Sequence, residues 1–225
     1  MQYILLFILT VFLSSANAQE DALRYVNTYS PPNHYHDRPG EIDFLFLQIE
    51  RDIGLKIKSE IVPAARMLRM LEKGDFDVTA LQTPSKNHFK FLYCEGPITK
   101  INLVFFSNDP AVQSIKQLPK AATIYATKSL FESLDQKFKE HQFNTNLDAG
   151  QIPLMFARQH IHYVVDLNFR LQQGLKDIGY NGNFSSDNLQ IQEFSFCVNS
   201  KMKNGPEVLK KINTYIKEKM KEKIK

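Results

Sequence analysis

The chain lacks the short motifs by which enzymes are usually recognised: it has no Gly-x-Ser-x-Gly elbow, no His-Glu-x-x-His pair and no Gly-rich phosphate loop. No catalytic residue is therefore expected from motif. Only two cysteines are present, Cys94 and Cys197. A bridge between them would close a loop of about 100 residues and contribute about 4 to 5 kcal/mol in the chain-entropy model; the sequence leaves their pairing open. After residue 13 no stretch is long or apolar enough to cross a bilayer. Low-complexity segments and short-period repeats are also missing. The net charge of +4 is too mild to suggest a nucleic-acid partner. Much of it sits in the terminal "KEKMKEKIK", whose lysines mostly avoid the apolar stripe, so a solvated helix face is expected rather than a membrane-surface helix.

What is present begins with an apolar run over 4–13, interrupted only by Thr10, and followed by Ser14, Ser15 and Ala16-Asn17-Ala18. A run of roughly ten apolar residues before a small-x-small site reads as a secretory signal peptide, too short for the roughly 20 residues of a spanning helix. Cleavage is expected after Ala18, although the preceding Met1-Gln2-Tyr3 offers only the terminal amine as positive charge. No cysteine follows the run to carry a lipid, so the expected mature chain is free and periplasmic. With 43% hydrophobic and 23% charged residues, it is expected to form one large domain or two small lobes.

Periodicity then sets an alternating order. A strand over 23–28 ends at Pro31-Pro32, and a loop runs through 33–40. Apolar residues at helical spacing over 41–53 end at Gly54, and a strand over 55–61 leads to a helix opened by Pro63 and stopped by Gly74. A strand over 76–81 follows. This succession predicts a mainly parallel sheet covered by helices. The run 101–106 ends abruptly at "SNDP", after which strands over 121–126 and 160–165 alternate with helices over 129–141 and 167–178. A polar break, "YNGN", precedes a strand over 191–198 and a closing helix from about residue 206.

Taken in order, several segments resemble the periplasmic solute-binding proteins of bacterial ABC importers, in the bilobal type 2 class that resembles amino-acid-binding proteins (family 3). "TYSPPNHY" resembles the family's first-strand loop, and "VPAARMLRMLEKGDFDVTAL" its helix, Gly stop and Asp-containing strand. "QTPSKNHFKFLY" resembles its Thr-Pro-Glu-Arg segment, and "SIKQLPKAATIYATKSLFESL" the passage into the second lobe. The resemblance implies a two-lobed α/β fold, each lobe a mainly parallel sheet with flanking helices. Residues 19–105 and 192–225 would form lobe 1 and 106–191 lobe 2, with 101–106 and 191–198 as hinge crossovers. It also implies a ligand in the interlobe cleft, a membrane permease as partner, a monomer, and neither cofactor nor metal.

The candidate site residues come partly from local chemistry and partly from that resemblance. "SLFE" matches a Ser-x-x-Glu capping box, which would start a helix at Ser129, after Thr127 and Lys128; the resemblance aims Thr127 and Ser129 at a ligand carboxylate. Asp166 reads as a helix N-cap, and by resemblance as the partner of a ligand ammonium. Tyr29 offers a ring for stacking or for loop packing. Lys86 falls where the family usually has a carboxylate-gripping Arg. Lys is a flexible point charge rather than a planar fork, so the difference argues against a standard α-amino acid as ligand. Thr83 keeps the family's residue, while Leu81 is apolar. Arg66 either lines the cleft or covers its helix.

Two histidine pairs, His34-x-His36 and His160-x-His162, have a spacing compatible with metal ligation, but the sequence supplies no third ligand. The expected function is capture of a small polar or anionic ligand for a permease. Presentation of the ligand to a membrane receptor is one alternative. The other is a dehydratase-like enzyme on the same fold, for which Glu95 is the acid to inspect.

Overall fold

The computed structural model describes residues 22–83 and 89–223. The expected signal peptide and Lys86 lie outside these described residues. Among them, no helix is long and apolar enough to cross a membrane.

The first passage forms as the turn chemistry dictates. Strand β1 (Leu23–Asn27) is followed by helix α1 (Glu41–Ile53), β2 (Ile57–Ile61), α2 (Ala64–Lys73) and β3 (Val78–Thr83). Both helices end on a left-handed glycine, Gly54 at φ 70° and Gly74 at φ 76°, a conformation that a side chain disfavours. Pro63 sits at the N-cap of α2, where its missing N–H costs no helical bond. Strand β4 (Leu92–Cys94) then leads into β5 (Thr99–Ser107).

The second passage contains β6 (Thr123–Tyr125), α3 (Lys128–Ser133), β7 (Gln142–Asn144), α4 (Gln151–Ala157), β8 (Tyr163–Leu167) and α5 (Asn168–Asp177). The chain returns through β9 (Ser185–Asn199) to α6 (Gly205–Lys223). The helix expected over 129–141 is corrected here. It stops at Ser133, whose hydroxyl turns back onto the Leu130 carbonyl, and the Asp135 N–H is drawn to the Gln190 side chain on β9. A separate 3-10 turn covers Gln136–Phe138. Strand β7 and helix α4 were not expected from periodicity: β7 has only three residues, and α4 carries Pro153. It is the third residue of α4, inside the first turn, where its lost N–H is tolerated.

The nine strands of the described residues join one curled sheet in the order β2-β1-β3-β9-β5-β8-β6-β7, with β4 also on β9. The expected parallel ladder holds at β2-β1-β3 and at β8-β6-β7, whereas β5 and β9 run antiparallel to their neighbours. At 15 residues, β9 is long enough to serve both halves. Its C-terminal part pairs with β3 and β4, and its N-terminal part with β5, across a bulge at Leu103/Val104. These two strands are the crossovers of a two-lobed fold.

Each half is three layers deep, because strand alternation sends neighbouring side chains to opposite faces. In the first half, Tyr25, Val78 and Phe196 pack against α1 and α6, while Val26 and Phe76 pack against Met67, Met70 and Leu71 of α2. In the second, Phe105, Ile124 and Val165 meet Leu130 and Leu134, while Val104, Phe106 and Val164 meet Phe156, Leu171 and Leu175. Each such fully buried side chain contributes about 1.5 to 3 kcal/mol. A disulfide joins Cys94 to Cys197, which are directly opposed on β4 and β9.

Candidate functional site

Parallel strands that share a direction bring their C-terminal ends to one edge, which is where open α/β sheets bind ligands. In the first half that edge carries Asn27, Ile61 and the end of β3. Asn27 Nδ2 donates to the Ala80 carbonyl and tightens β1 against β3. Tyr29 lies two residues beyond β1. Thr83 is the last residue of β3, where its backbone is registered with Glu193. In the second half, Ile124 and Tyr125 pair with Tyr163 and Val164, so two residues further on Thr127 and Asp166 stand at the same level. The fold therefore brings Tyr29 and Thr83 to one strand edge, and Thr127, Ser129 and Asp166 to the other.

The loop after β1 crosses from the first half to the second. It contains a cis Pro31-Pro32 bond and a short bridge between Ser30 and His34. His34 is buried, with Nε2 3.0 Å from the Tyr25 hydroxyl, which also accepts from Asn27 Nδ2. Burial pushes the His34 imidazole down to about 4 and raises the Tyr25 phenol above its usual range. Both groups are thus neutral near pH 7 and anchor the loop. Gly40 closes it, because a Cβ there would meet the Asn33 carbonyl oxygen at 2.0 Å.

From this anchor, Tyr35 donates its hydroxyl to Asp177 Oδ2 at 3.1 Å, and Arg38 Nη2 reaches the same oxygen at 3.0 Å. The Arg38 guanidinium also lies 3.9 Å above the Tyr35 ring. Tyr29 stacks on His36 at 5.1 Å, and a Cβ at Gly150, the N-cap of α4, would lie 3.5 Å from the Tyr29 ring. Burial, and then the Asp177 charge, raise the Tyr29 phenol. These contacts tie the two halves together across their junction.

The structure corrects two local readings. Ser129 does not cap α3: the N-cap is Thr127, no side-chain cap bond forms, and the two hydroxyls lie 3.4 Å apart. Asp166 is not the N-cap of α5 either, since β8 runs on to Leu167, which itself takes that position. Asp166 is completely buried. Its Oδ1 accepts the Leu167 N–H at 2.6 Å and Arg170 Nε–H at 2.6 Å, with Arg170 Nη2 at 2.5 Å. Burial raises its carboxyl, and Arg170 opposes that rise.

Arg66, in the first turn of α2, is turned to Glu60 at 2.9 Å and remains largely exposed. Glu95 hydrogen-bonds to Asn213 Nδ2 at 3.2 Å. The histidine pairs are separated in role: His34 is buried, His36 is stacked on Tyr29, and His162 Nδ1 lies 2.7 Å from Asn108 Oδ1. No group of three or more His, Cys, Asp or Glu with metal-holding geometry occurs among the described residues. A cavity of about 490 Å³ opens beside β2 and α1, lined by Tyr35, Arg38, Leu47, Lys56 and Lys58 among others. A second, of about 290 Å³, lies by Asn108, Asp109 and His162. Neither is lined by Tyr29, Arg66, Thr127, Ser129 or Asp166.

Sequence reasoning missed Tyr35, Arg38, Asp177, Gly150 and Arg170. Of these only Arg170 left a local signal, the Asp-x-x-x-Arg spacing that pairs side chains one helical turn apart. The loop contacts link residues about 140 positions apart and have no local signature.

The chain has a periplasmic-binding-protein-like fold, two lobes joined by two strands. It is similar to the ligand-binding core of GluR0 from Nostoc punctiforme in complex with L-glutamate, with 14% identity, a TM-score of 0.72, and 89% of this chain and 93% of that one covered. It is similar to holo ArgBP from T. maritima, with 14% identity and a TM-score of 0.67 over 88% and 89% of the two chains. A histidine kinase sensor domain with similarity to periplasmic binding proteins matches at 13% identity and a TM-score of 0.68, over 89% and 91%. No family model matches the chain. No curated protein matches its sequence.

Proposed function

We propose that this protein captures a small polar ligand between its two lobes and carries out no chemistry on it. The observation that carries this reading is the pair of strand edges, each presenting the C-terminal ends of parallel strands, bridged by the Tyr35 and Arg38 contacts to Asp177. Closing two α/β lobes on a ligand excludes water and converges a few polar groups on it. Lobe 1 would comprise residues 19–105 and 192–225, and lobe 2 residues 106–191.

On this reading Tyr29 and Thr83 face the ligand from lobe 1, and Thr127, Ser129 and Asp166 from lobe 2. Lys86 would supply a point charge for an anionic group, and Arg66 would reach the ligand only by leaving Glu60. The protein would work as a monomer in the periplasm, after loss of residues 1–18, and deliver its ligand to the membrane permease of an ABC importer. Delivery to a membrane receptor is the second reading, supported by the likeness to a histidine kinase sensor domain.

Thermal unfolding against a panel of amino acids, small peptides and organic anions tests the binding. A ligand at about 100 times its Kd adds about 2.7 kcal/mol, which in a chain of this size raises Tm by roughly 5 to 10 °C. No shift with any member of the panel refutes the reading.

A further inference from the structure

Strand β2 ends the sheet, and the cavity of about 490 Å³ opens beside it. The Leu23 N–H donates to the Lys56 carbonyl and the Val62 N–H to the Asn27 carbonyl, so the even-numbered residues of β2 bond to β1. By alternation, the backbone N–H and carbonyl groups of Ile57, Ser59 and Ile61 point away from the sheet, with no strand beside them among the described residues. The cavity lining joins these residues to buried Phe46 and to Leu47, which is 59% exposed. Arg38, Lys56 and Lys58 also line it, against the single carboxylate of Asp43, whose Oδ2 already accepts the Gly40 N–H at 2.8 Å. Lysines on a terminal strand deter the addition of another strand, so the occupant that fits is a small molecule. A carboxylate with an apolar body matches the lining: its charge answers the cations and the outward N–H groups, and its body covers Leu47.

Shared residues join this cavity to the contact between the lobes. Tyr35 and Arg38 line it and also reach Asp177 of α5. Asp177 is met by Arg38 Nη2, and the guanidinium has further N–H donors for a second anion. Two carboxylates on one guanidinium divide its charge, so each weakens the hold of the other.

We propose that this cavity is a second binding site, for a small carboxylate with an apolar body, and that Arg38 couples it to the contact between the lobes. The site requires no ligand in the cleft, so its failure and that of the cleft reading are separate outcomes. NMR titration of the intact isotope-labelled protein with benzoate, phenylacetate and hydrocinnamate tests it, with phenylacetamide as the neutral control. At least one carboxylate should shift the amides across 35–47 and 56–61, and phenylacetamide should bind about tenfold or more weakly. Arg38, Lys56, Lys58 and Asp177 are all exposed, so variants at these positions keep the fold. Lys56→Glu combined with Lys58→Glu should weaken carboxylate binding by about tenfold or more. Asp177→Asn should tighten it by about twofold to fivefold, the scale of an exposed ion pair. That gain should vanish once Arg38→Gln is present.

No shift with any of these carboxylates overturns the proposal, and so does equal affinity for phenylacetamide. Shifts confined to Tyr29, Thr83 and residues 125–129 would place the probe in the cleft, which removes the second site and supports the cleft reading. An affinity that Asp177→Asn leaves unchanged removes the coupling through Arg38, and the proposal with it.

Discussion

Lowering the pH from 7 to 4.5 should weaken the fold through His34, by an amount the structure allows to be worked out. In the folded chain this imidazole is buried beside the Tyr25 hydroxyl, and burial lowers its pKa from 6.5 to about 4, although the Asp43 carboxylate opposes the shift. In the unfolded chain it titrates near 6.5. Between these two values the unfolded state binds the proton and the folded state does not, so stability falls as pH drops through this window. The contribution is fully present above pH 6.5 and is lost by about pH 4. At roughly 1.4 kcal/mol per pH unit the full loss is about 3 kcal/mol, most of it gone by pH 4.5.

The measurement is urea unfolding of the wild type and of His34→Gln at several pH values from 7 to 4.5. Glutamine keeps a polar group near Tyr25 but cannot take the proton. Both proteins share every other carboxylate, so the difference between their stabilities isolates the histidine. That difference should shrink by about 2 to 3 kcal/mol across the range. Curves that stay parallel would refute the assignment of a buried neutral imidazole as the anchor of the 28–40 loop.

The disulfide and the interlobe contact give further tests. Cys94 and Cys197 are 103 residues apart, so replacing both by Ala should cost about 4.7 kcal/mol and lower Tm by roughly 10 to 20 °C; calorimetric scans that superimpose would contradict it. Asp177→Lys sets a cation against Arg38 and removes the acceptor of the Tyr35 hydroxyl. Spin labels at positions 58 and 176, on opposite halves, should then report longer and broader distances, and an unaltered distribution would show that these contacts do not hold the lobes together.

How much of this was legible beforehand depends on the range of the forces involved. Helix α1 was readable to its last residue because Phe46 and Ile49 repeat at helical spacing and Gly54 supplies its left-handed stop. Helix α3 was misread because its end is imposed from outside, by the Gln190 side chain reaching across from β9. Strands β4 and β7, with three residues each, are too short to show a period and exist through their partners. Among the site residues, Asp166 and Thr127 could be placed at element ends by local signals. The N-cap was assigned to Asp166 because β8 runs to Leu167, two positions beyond the expected strand, and the capping hydroxyl to Ser129 because α3 starts one residue earlier, at Lys128.

Local sequence thus determined the alternation of helices and strands, the glycine stops and the polar break at "YNGN", all of which follow from side-chain period and backbone φ within a few residues. Only the tertiary structure decided that Cys94 meets Cys197, that β9 serves both halves, that the 28–40 loop reaches Asp177, and that the guanidinium of Arg170 stands against Asp166. The loop contact, the disulfide and the shared strand join positions far apart in the chain. They arise when burial of the four apolar clusters fixes where each element lies, and no local pattern records them.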